Sequence, residues 1–273
     1  MAELAMNEMT TYRWSFEQDV QQYAAAGITA IGVWRQKLGD CGEARGNELL
    51  AATGMKVSSL QWAGGFTGSD GHTHSESIED AREAIRLANR LQAGCLIIHS
   101  GARGVHTHNH ARRLFRSAID RLLPLAETEQ VTLAIEPMSR DCGMEWTFFN
   151  SMDEALELVN AYSHPRFKLV FDAYHWGHEP ETLQRLPEFV QQAALIQLGD
   201  ARERPKGEPN RAPLGEGELP LAQIIDAALK AGYDGFFEVE LLGEEIEVID
   251  YEQLLTQSKQ AFQEWTSPTG RTR

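Results

Sequence analysis

The sequence predicts an α/β fold, a single-domain (β/α)8 TIM barrel over residues 1–273. Three observations predict it. Strand-like and helix-like segments alternate along the chain, which implies parallel strands joined by helical crossovers. Several of the strand segments are apolar throughout, as burial on both faces requires. No Pro/Gly-rich linker divides the chain, and its 273 residues suit a fold that typically runs to ~250 residues.

"SFEQDVQQYAAAG" (15–27) has a Ser cap, apolar residues at helical spacing and a Gly stop. The β-branched run "ITAIGVW" (28–34) follows it. "ELLAATG" (48–54) ends a helix and "MKVSSLQW" (55–62) reads as a strand. "SIEDAREAIRLANRLQAG" (77–94) is the clearest helix, with Ile78, Ala81, Ile85, Leu87, Ala88 and Leu91 on one broad face. "CLIIHSG" (95–101) is the next strand. Residues 109–129 are helical, with a kink or break expected at Pro124. "VTLAIEP" (131–137) and "FKLVFD" (167–172) are strands on either side of a Ser-capped helix (151–162). Residues 183–192 are helical in part, and "AALIQLGD" (193–200) is a strand. A helix with Pro in its first turn (220–232), the strand "GFFEVELL" (235–242) and a closing helix (250–265) complete the series. These are at least seven strands; the weak segment "ELAMNEMTTYR" (3–13) is the candidate for the eighth. An open doubly wound sheet is the competing architecture, but no glycine-rich dinucleotide fingerprint follows the first strands.

Composition narrows the function. Hydrophobic content of 42% and charged content of 24% are those of an ordinary globular chain. A formal net charge of −15 opposes nucleic-acid and anionic-membrane partners, because affinity for both rests largely on Lys and Arg meeting phosphate. No apolar run is long enough to span a membrane, and the N-terminal residues lack a secretory layout, so a cytoplasmic location is the simplest expectation. Cys41, Cys95 and Cys142 have no paired spacing and read as reduced thiols.

Catalytic groups of this barrel stand at the C-terminal ends of its strands. The predicted strands end in Trp62, His99, Glu136, Asp172, Gln197 and Glu240. The last four come from consecutive strands and should converge. Three crowded carboxylates and an amide oxygen are costly without a cation between them. Oxygen-rich ligation suits one divalent metal ion, Mn2+ or Mg2+ best, with Co2+ or Zn2+ admissible. Any single acid after a strand is more often a helix cap; the row of four is what carries the metal reading. Glu238 rivals Glu240, since period-2 alternation places both on one face.

The stretches "LAIEPM" (133–138), "LVFDAYH" (169–175), "LIQLGD" (195–200), "RAPLGEGELPLAQII" (211–225) and "AGYDGFFEVEL" (231–241) resemble the xylose isomerase-like TIM barrels. These include sugar phosphate isomerases and epimerases, inosose dehydratases and a DNA-repair endonuclease branch. The resemblance covers nearly the whole chain. It implies one metal ion held by Glu, Asp, His and Glu, which map to Glu136, Asp172, position 197 and Glu240; it favours Glu240 over Glu238. The usual His-x-x-Asp motif has Gln197 in place of its His and keeps Asp200. His175 matches a residue that contacts substrate oxygens. Arg211, before the "LGEG" loop, is the candidate to bind a substrate hydroxyl or phosphate, with a surface salt bridge as the plain alternative. His99 and Trp62 are candidates to line the pocket.

Three further features invite function. The alternating histidines of "HTHNH" (106–110) suggest a metal, but no carboxylate sits among them. His178 is expected to be exposed. "GGFTGSDG" (64–71) is a loop that could cover a substrate.

The expected activity is a divalent-metal-dependent sugar isomerase or epimerase, with Glu136 and Glu240 exchanging a proton beside a carbonyl and His175 holding the substrate. The substrate is a small sugar, sugar phosphate or keto-sugar; a homo-oligomer is compatible with the fold. The alternative is a dehydratase or lyase on a keto-inositol or keto-sugar. A metal-dependent endonuclease would want more histidines and a basic groove. A non-catalytic sugar-binding barrel would have lost the acids.

Overall fold

The computed structural model describes residues 2–267. Parallel strands close into a barrel in chain order: β1 (Glu3–Asn7), β2 (Ala30–Trp34), β3 (Lys56–Gly64), β4 (Cys95–His99), β5 (Leu133–Ile135), β6 (Phe167–Asp172), β7 (Ala193–Leu198) and β8 (Phe236–Val239). The weak N-terminal segment supplies β1, which pairs with both β2 and β8 and so closes the ring. The sequence-based segments run two or three residues past the ends of β4, β5, β7 and β8, and Glu136, Asp200 and Glu240 lie in those extra residues.

Helices Phe16–Ala25, Glu43–Thr53, His74–Arg90, Met152–Tyr162, Leu221–Lys230 and Tyr251–Thr266 pack outside the strands. Ser15 and Thr73 open two of them with reciprocal capping boxes, each satisfying backbone N–H groups that a helix start leaves unpaired. Pro124 does not break its helix: His108–Thr128 is continuous. Pro124 and Asp120 both lie on the solvent face, so the carbonyl that loses its amide partner can turn to water. The β6–β7 crossover is three short helices, Ala173–Trp176, Pro180–Gln184 and Leu186–Val190. A helix directly after β2, Arg35–Cys41, was not legible as one.

The barrel interior is layered. Cys95, Ile97, Ala134, Val170 and Leu195 form a fully buried apolar layer. Glu238 lies within the barrel as well, and it is held by neutral donors: Asn7 Nδ2 (2.7 Å), Ser58 Oγ (2.6 Å), Ser59 Oγ (2.7 Å) and Gln197 Nε2 (3.3 Å). Burial raises its carboxyl above the usual range. Gly32 makes room for it, since a Cβ there would stand 2.5 Å from Glu238 Oε2.

A second polar cluster locks the segment after β1. Lys37 reaches inward, donating to Asp19 Oδ2 (2.6 Å) and to the carbonyls of Glu8 (3.0 Å) and Thr11 (2.9 Å). Asp19 and Glu8 are fully buried. Burial, with the charge of Asp19, pushes Glu8 well above the carboxylate range, so Glu8 keeps a proton that it shares with Asp19. One cation then faces one net anion.

Two outcomes follow from this cluster. Lys37→Met leaves Asp19 charged and unpaired in the interior and should cost about 3–5 kcal/mol in denaturant unfolding. Glu8, with its folded-state pKa raised, stays protonated where the unfolded chain has released the proton. In that window the folded state binds more protons, so stability falls as pH rises above the ordinary carboxylate range. Glu8→Gln should remove part of that fall; an unaltered pH profile of the thermal midpoint would contradict the shared proton.

Candidate active site

The C-terminal ends of the strands bring the expected residues together. Asp172 is the last residue of β6, His99 the last of β4, and Glu136 and Glu240 each follow their strand by one residue. All four are buried, with Asp172 at 0% and Glu240 at 7% exposure. The register pairs Asp172 with Gln197 and Gln197 with Glu238. Glu240 therefore lies beyond Glu238 toward the mouth, and it is Glu240 that meets Asp172 through a shared partner.

That partner is Arg211. Its Nη2 donates to Asp172 Oδ2 (2.9 Å) and contacts Glu240 Oε2 (2.8 Å), and Nη1 donates to the Glu240 carbonyl (2.8 Å). The guanidinium lies over the Tyr174 ring, 4.7 Å from its centroid. Expected to offer itself to a substrate or to a surface salt bridge, Arg211 is instead buried between two acids. Asp200 builds the loop that delivers it. Asp200 Oδ2 accepts from the amides of Gly215 and Gly217, and Oδ1 from Leu219 and Ala201. The Asp200 carbonyl accepts from Ala212.

Asp172 answers both of its sequence readings. Oδ1 accepts the Tyr174 amide (2.8 Å) and caps the short helix Ala173–Trp176, while Oδ2 faces Arg211. His175 is carried on that helix, with Nε2 at 3.7 Å from Asp172 Oδ2 and Nδ1 at 3.3 Å from Cys142 Sγ. Cys142 was not anticipated at the site; it stands far from any strand end, and nothing in its spacing marks it. Burial, aided by Asp172, pushes its thiol up to about 11, so it carries a hydrogen to donate to His175. Burial and then Arg211 bring His175 down to about 3, which keeps the ring neutral.

Burial resists ionisation of Glu136, but the His99 hydrogen bond and charge, with Arg211, outweigh it and hold this carboxyl below its ordinary value. The bond runs between His99 Nε2 and Glu136 Oε2 at 2.8 Å. Glu240 goes the other way. Burial drives it up to about 7 against the pull of Arg211, and Glu136 and Asp172 add to the rise. Asp172 moves up to about 6 for the same first reason, with Arg211 opposing and Glu136 adding to it. Gln61 donates to Glu240 Oε1 (2.8 Å). Its neighbour Trp62 was the strand-end candidate; broken alternation along β3 puts both near the site. Trp62 stacks on His99 at 5.5 Å and meets the edge of Trp146 at 5.1 Å.

A divalent cation fits this donor set. Single ligand atoms of Glu136, Asp172 and His175 lie within 4.8 Å of one another, the one such group among the described residues. Gln197 Oε1 is buried with no hydrogen-bond partner, while its Nε2 is held by Glu238. His175, expected as a substrate contact, is thus grouped with two expected ligands. The 106–110 histidines form no such group. His106 Nε2 bonds the Thr67 carbonyl (2.9 Å), and His108 faces Glu154 at 3.6 Å. The first contact joins two loops and the second joins two helix starts. His178 is half-buried rather than exposed, and burial lowers its pKa.

Two cavities open above the acids and share Glu145 and Trp146. The larger, about 740 Å³, includes Thr10, Cys142 and Leu241. The smaller, about 420 Å³, includes Trp62 and His99, and the 64–71 loop forms part of its wall. Glu136, Asp172 and Glu240 line neither cavity; the cavities meet the site through Cys142, which contacts His175, and His99, which contacts Glu136. No helix among the described residues is long and apolar enough to cross a membrane.

Comparison with known proteins agrees with this architecture. The L-ribulose-5-phosphate 3-epimerase UlaE of Escherichia coli O1:K1 is 23% identical over 208 residues, 72% of this chain and 69% of that protein. The crystal structure of SMc04130 from Sinorhizobium meliloti 1021 superposes with a TM-score of 0.88 at 24% identity, covering 95% of this chain and 97% of that one. The IolI protein, crystallised with a bound zinc atom, gives a TM-score of 0.83 at 19% identity over 97% and 98% of the two chains. The family model described as xylose isomerase-like TIM barrel matches residues 20–265, and the chain belongs to that family.

Proposed function

We propose that this chain is a sugar isomerase or epimerase that transfers a proton beside a carbonyl and uses one divalent metal ion. The observation that carries the reading is the meeting of Glu136, Asp172 and Glu240 with a neutral His175 at the C-terminal mouth of the barrel. Glu136, Asp172, Glu240 and either Gln197 or His175 would hold the ion. When bound, it polarises the substrate oxygen and favours removal of the neighbouring proton.

The residues of the chain divide the remaining work. Glu136, kept ionised by His99, is suited to take a proton. Glu240, held by Arg211 and Gln61, is suited to give one back. His175 is neutral and held on one side by Cys142, so it can hold a substrate oxygen without adding charge. Arg211 balances Asp172 and Glu240 and keeps their positions when the substrate enters. Burial of the acids under the cavity floor limits water at the reacting carbon. UlaE, a ribulose phosphate epimerase by name, supports the reaction class, and the zinc of IolI supports the ion; Mn2+ and Mg2+ are the ions that the oxygen-rich donor set favours.

Metal analysis by mass spectrometry should find about one divalent ion per chain in the wild type and none in Glu136→Gln/Asp172→Asn. Retention by that variant would remove the ion from this site. Glu136→Gln and Glu240→Gln should each keep the fold by circular dichroism and lose about 10²–10⁴-fold in kcat/KM for ketose proton exchange in D2O. An active double variant would refute the acid–base pair.

A further inference from the structure

The residues around the two cavities say more about the substrate than the acids do. Their charge is strongly one-sided. The larger cavity is lined by Asp141, Glu145, Glu208 and Glu247, with Arg140 as its single Lys or Arg. The smaller is lined by Asp70, Glu76, Asp80 and Glu145, with Arg35 as its single Lys or Arg. Arg35 is already engaged, its two terminal nitrogens donating to Asp80 at 2.9 and 2.8 Å.

The other basic group near the reaction centre is no freer. Both terminal nitrogens of Arg211 are taken by Asp172 and Glu240, and the guanidinium face lies on Tyr174. Arg202, on the loop after β7, is bound by Glu216 and Glu245. Recognition of a phosphate dianion needs unengaged Arg or Lys, or amides gathered at a helix start. Of the cavity-lining cations, Arg140 alone has no carboxylate partner, and Asp141 is its chain neighbour among the four acids. A phosphate at the larger mouth would meet four acids against the one unengaged cation, Arg140.

The same walls carry unusual apolar exposure. Tyr12 is 56% exposed, Met144 55% and Trp146 43%, and all three line the larger cavity with Met9, Leu242 and Ile246. Apolar surface of this kind, rimmed by polar residues and set over buried catalytic groups, marks a ligand-binding cleft. It suits a sugar's C–H face, not a phosphoryl group.

We infer that the substrate is an uncharged, unphosphorylated ketose or keto-polyol, whose end remote from the reacting carbonyl lies on the Tyr12–Met144–Trp146 wall, and that phosphate esters are excluded by the acidic rim. This rests on the proton-transfer reading above and narrows it. It sets the chain apart from UlaE, whose name specifies a phosphorylated sugar.

The test is proton exchange in D2O with the intact, metal-supplied protein, using L-ribulose, D-fructose and D-allulose, each beside its terminal phosphate ester. The free sugar of at least one pair should show kcat/KM at least ~10-fold above its ester at low ionic strength. The gap should narrow in ~0.5 M salt, as the rim charges are screened. Glu208→Lys/Glu247→Lys should raise the ester's kcat/KM relative to that of the free sugar. Tryptophan fluorescence gives an independent reading, since Trp62 and Trp146 border the cavities: the free sugar should change it and the ester should not. Esters turned over as well as or better than the free sugars would overturn the exclusion and leave the proton-transfer reading intact. Exchange with no sugar or ester, alongside normal metal content, would overturn the proton-transfer reading and this inference with it.

Discussion

Three buried carboxyls in one small space depend on Arg211. Asp172, Glu136 and Glu240 are nearly inaccessible to water; Glu136 raises the cost of ionising Asp172, and both raise that of Glu240. In a low-dielectric interior such a group neutralises by taking up protons unless a cation answers it. Arg211 supplies that cation in a fixed, planar form, with two acids and a carbonyl on its terminal nitrogens. Asp200 makes this dependable by pinning the following glycine-rich turn with four backbone amides. The loop's order and the acids' charge state are therefore coupled through one side chain.

Much of the fold could be read from periodicity. Fully apolar runs such as Cys95–Ile98 are buried along their whole length, and length, alternation and Gly stops made the barrel legible. The acids were legible because they end apolar runs. Other features were not. Cys142 meets His175 only through a long loop return, and Gln61 enters the site because β3 breaks its alternation. Pro124 looked like a helix breaker, yet on a solvent face its missing bond is inexpensive. Arg211 was found by its place before the glycine turn, but its burial between Asp172 and Glu240 is a tertiary fact that no local pattern carries.

Gln197 illustrates how one interior carboxyl can serve another element. Where a histidine ligand would donate its second N–H to an outer acceptor, Gln197 donates its amide N–H to Glu238 and leaves its oxygen unpaired. Glu238 thus has a reason to be inside the barrel beyond filling space. It also explains why period-2 alternation could not separate it from Glu240: both face inward, one toward neutral donors and one toward Arg211.

Glu238 also bears on how the molecule is made. It bonds β8 to Asn7 on β1 and to Ser58 and Ser59 on β3, across sequence separations of 231, 180 and 179 residues. Contacts so distant are slow to form, because chain entropy is lost before they bring any return. During synthesis from the N-terminus, Glu136, Asp172 and Arg211 all emerge before the strand that completes the ring. Until β8 is made, β1 has no partner on that side and Arg211 lacks Glu240. The candidate site is complete only where the first and last strands meet.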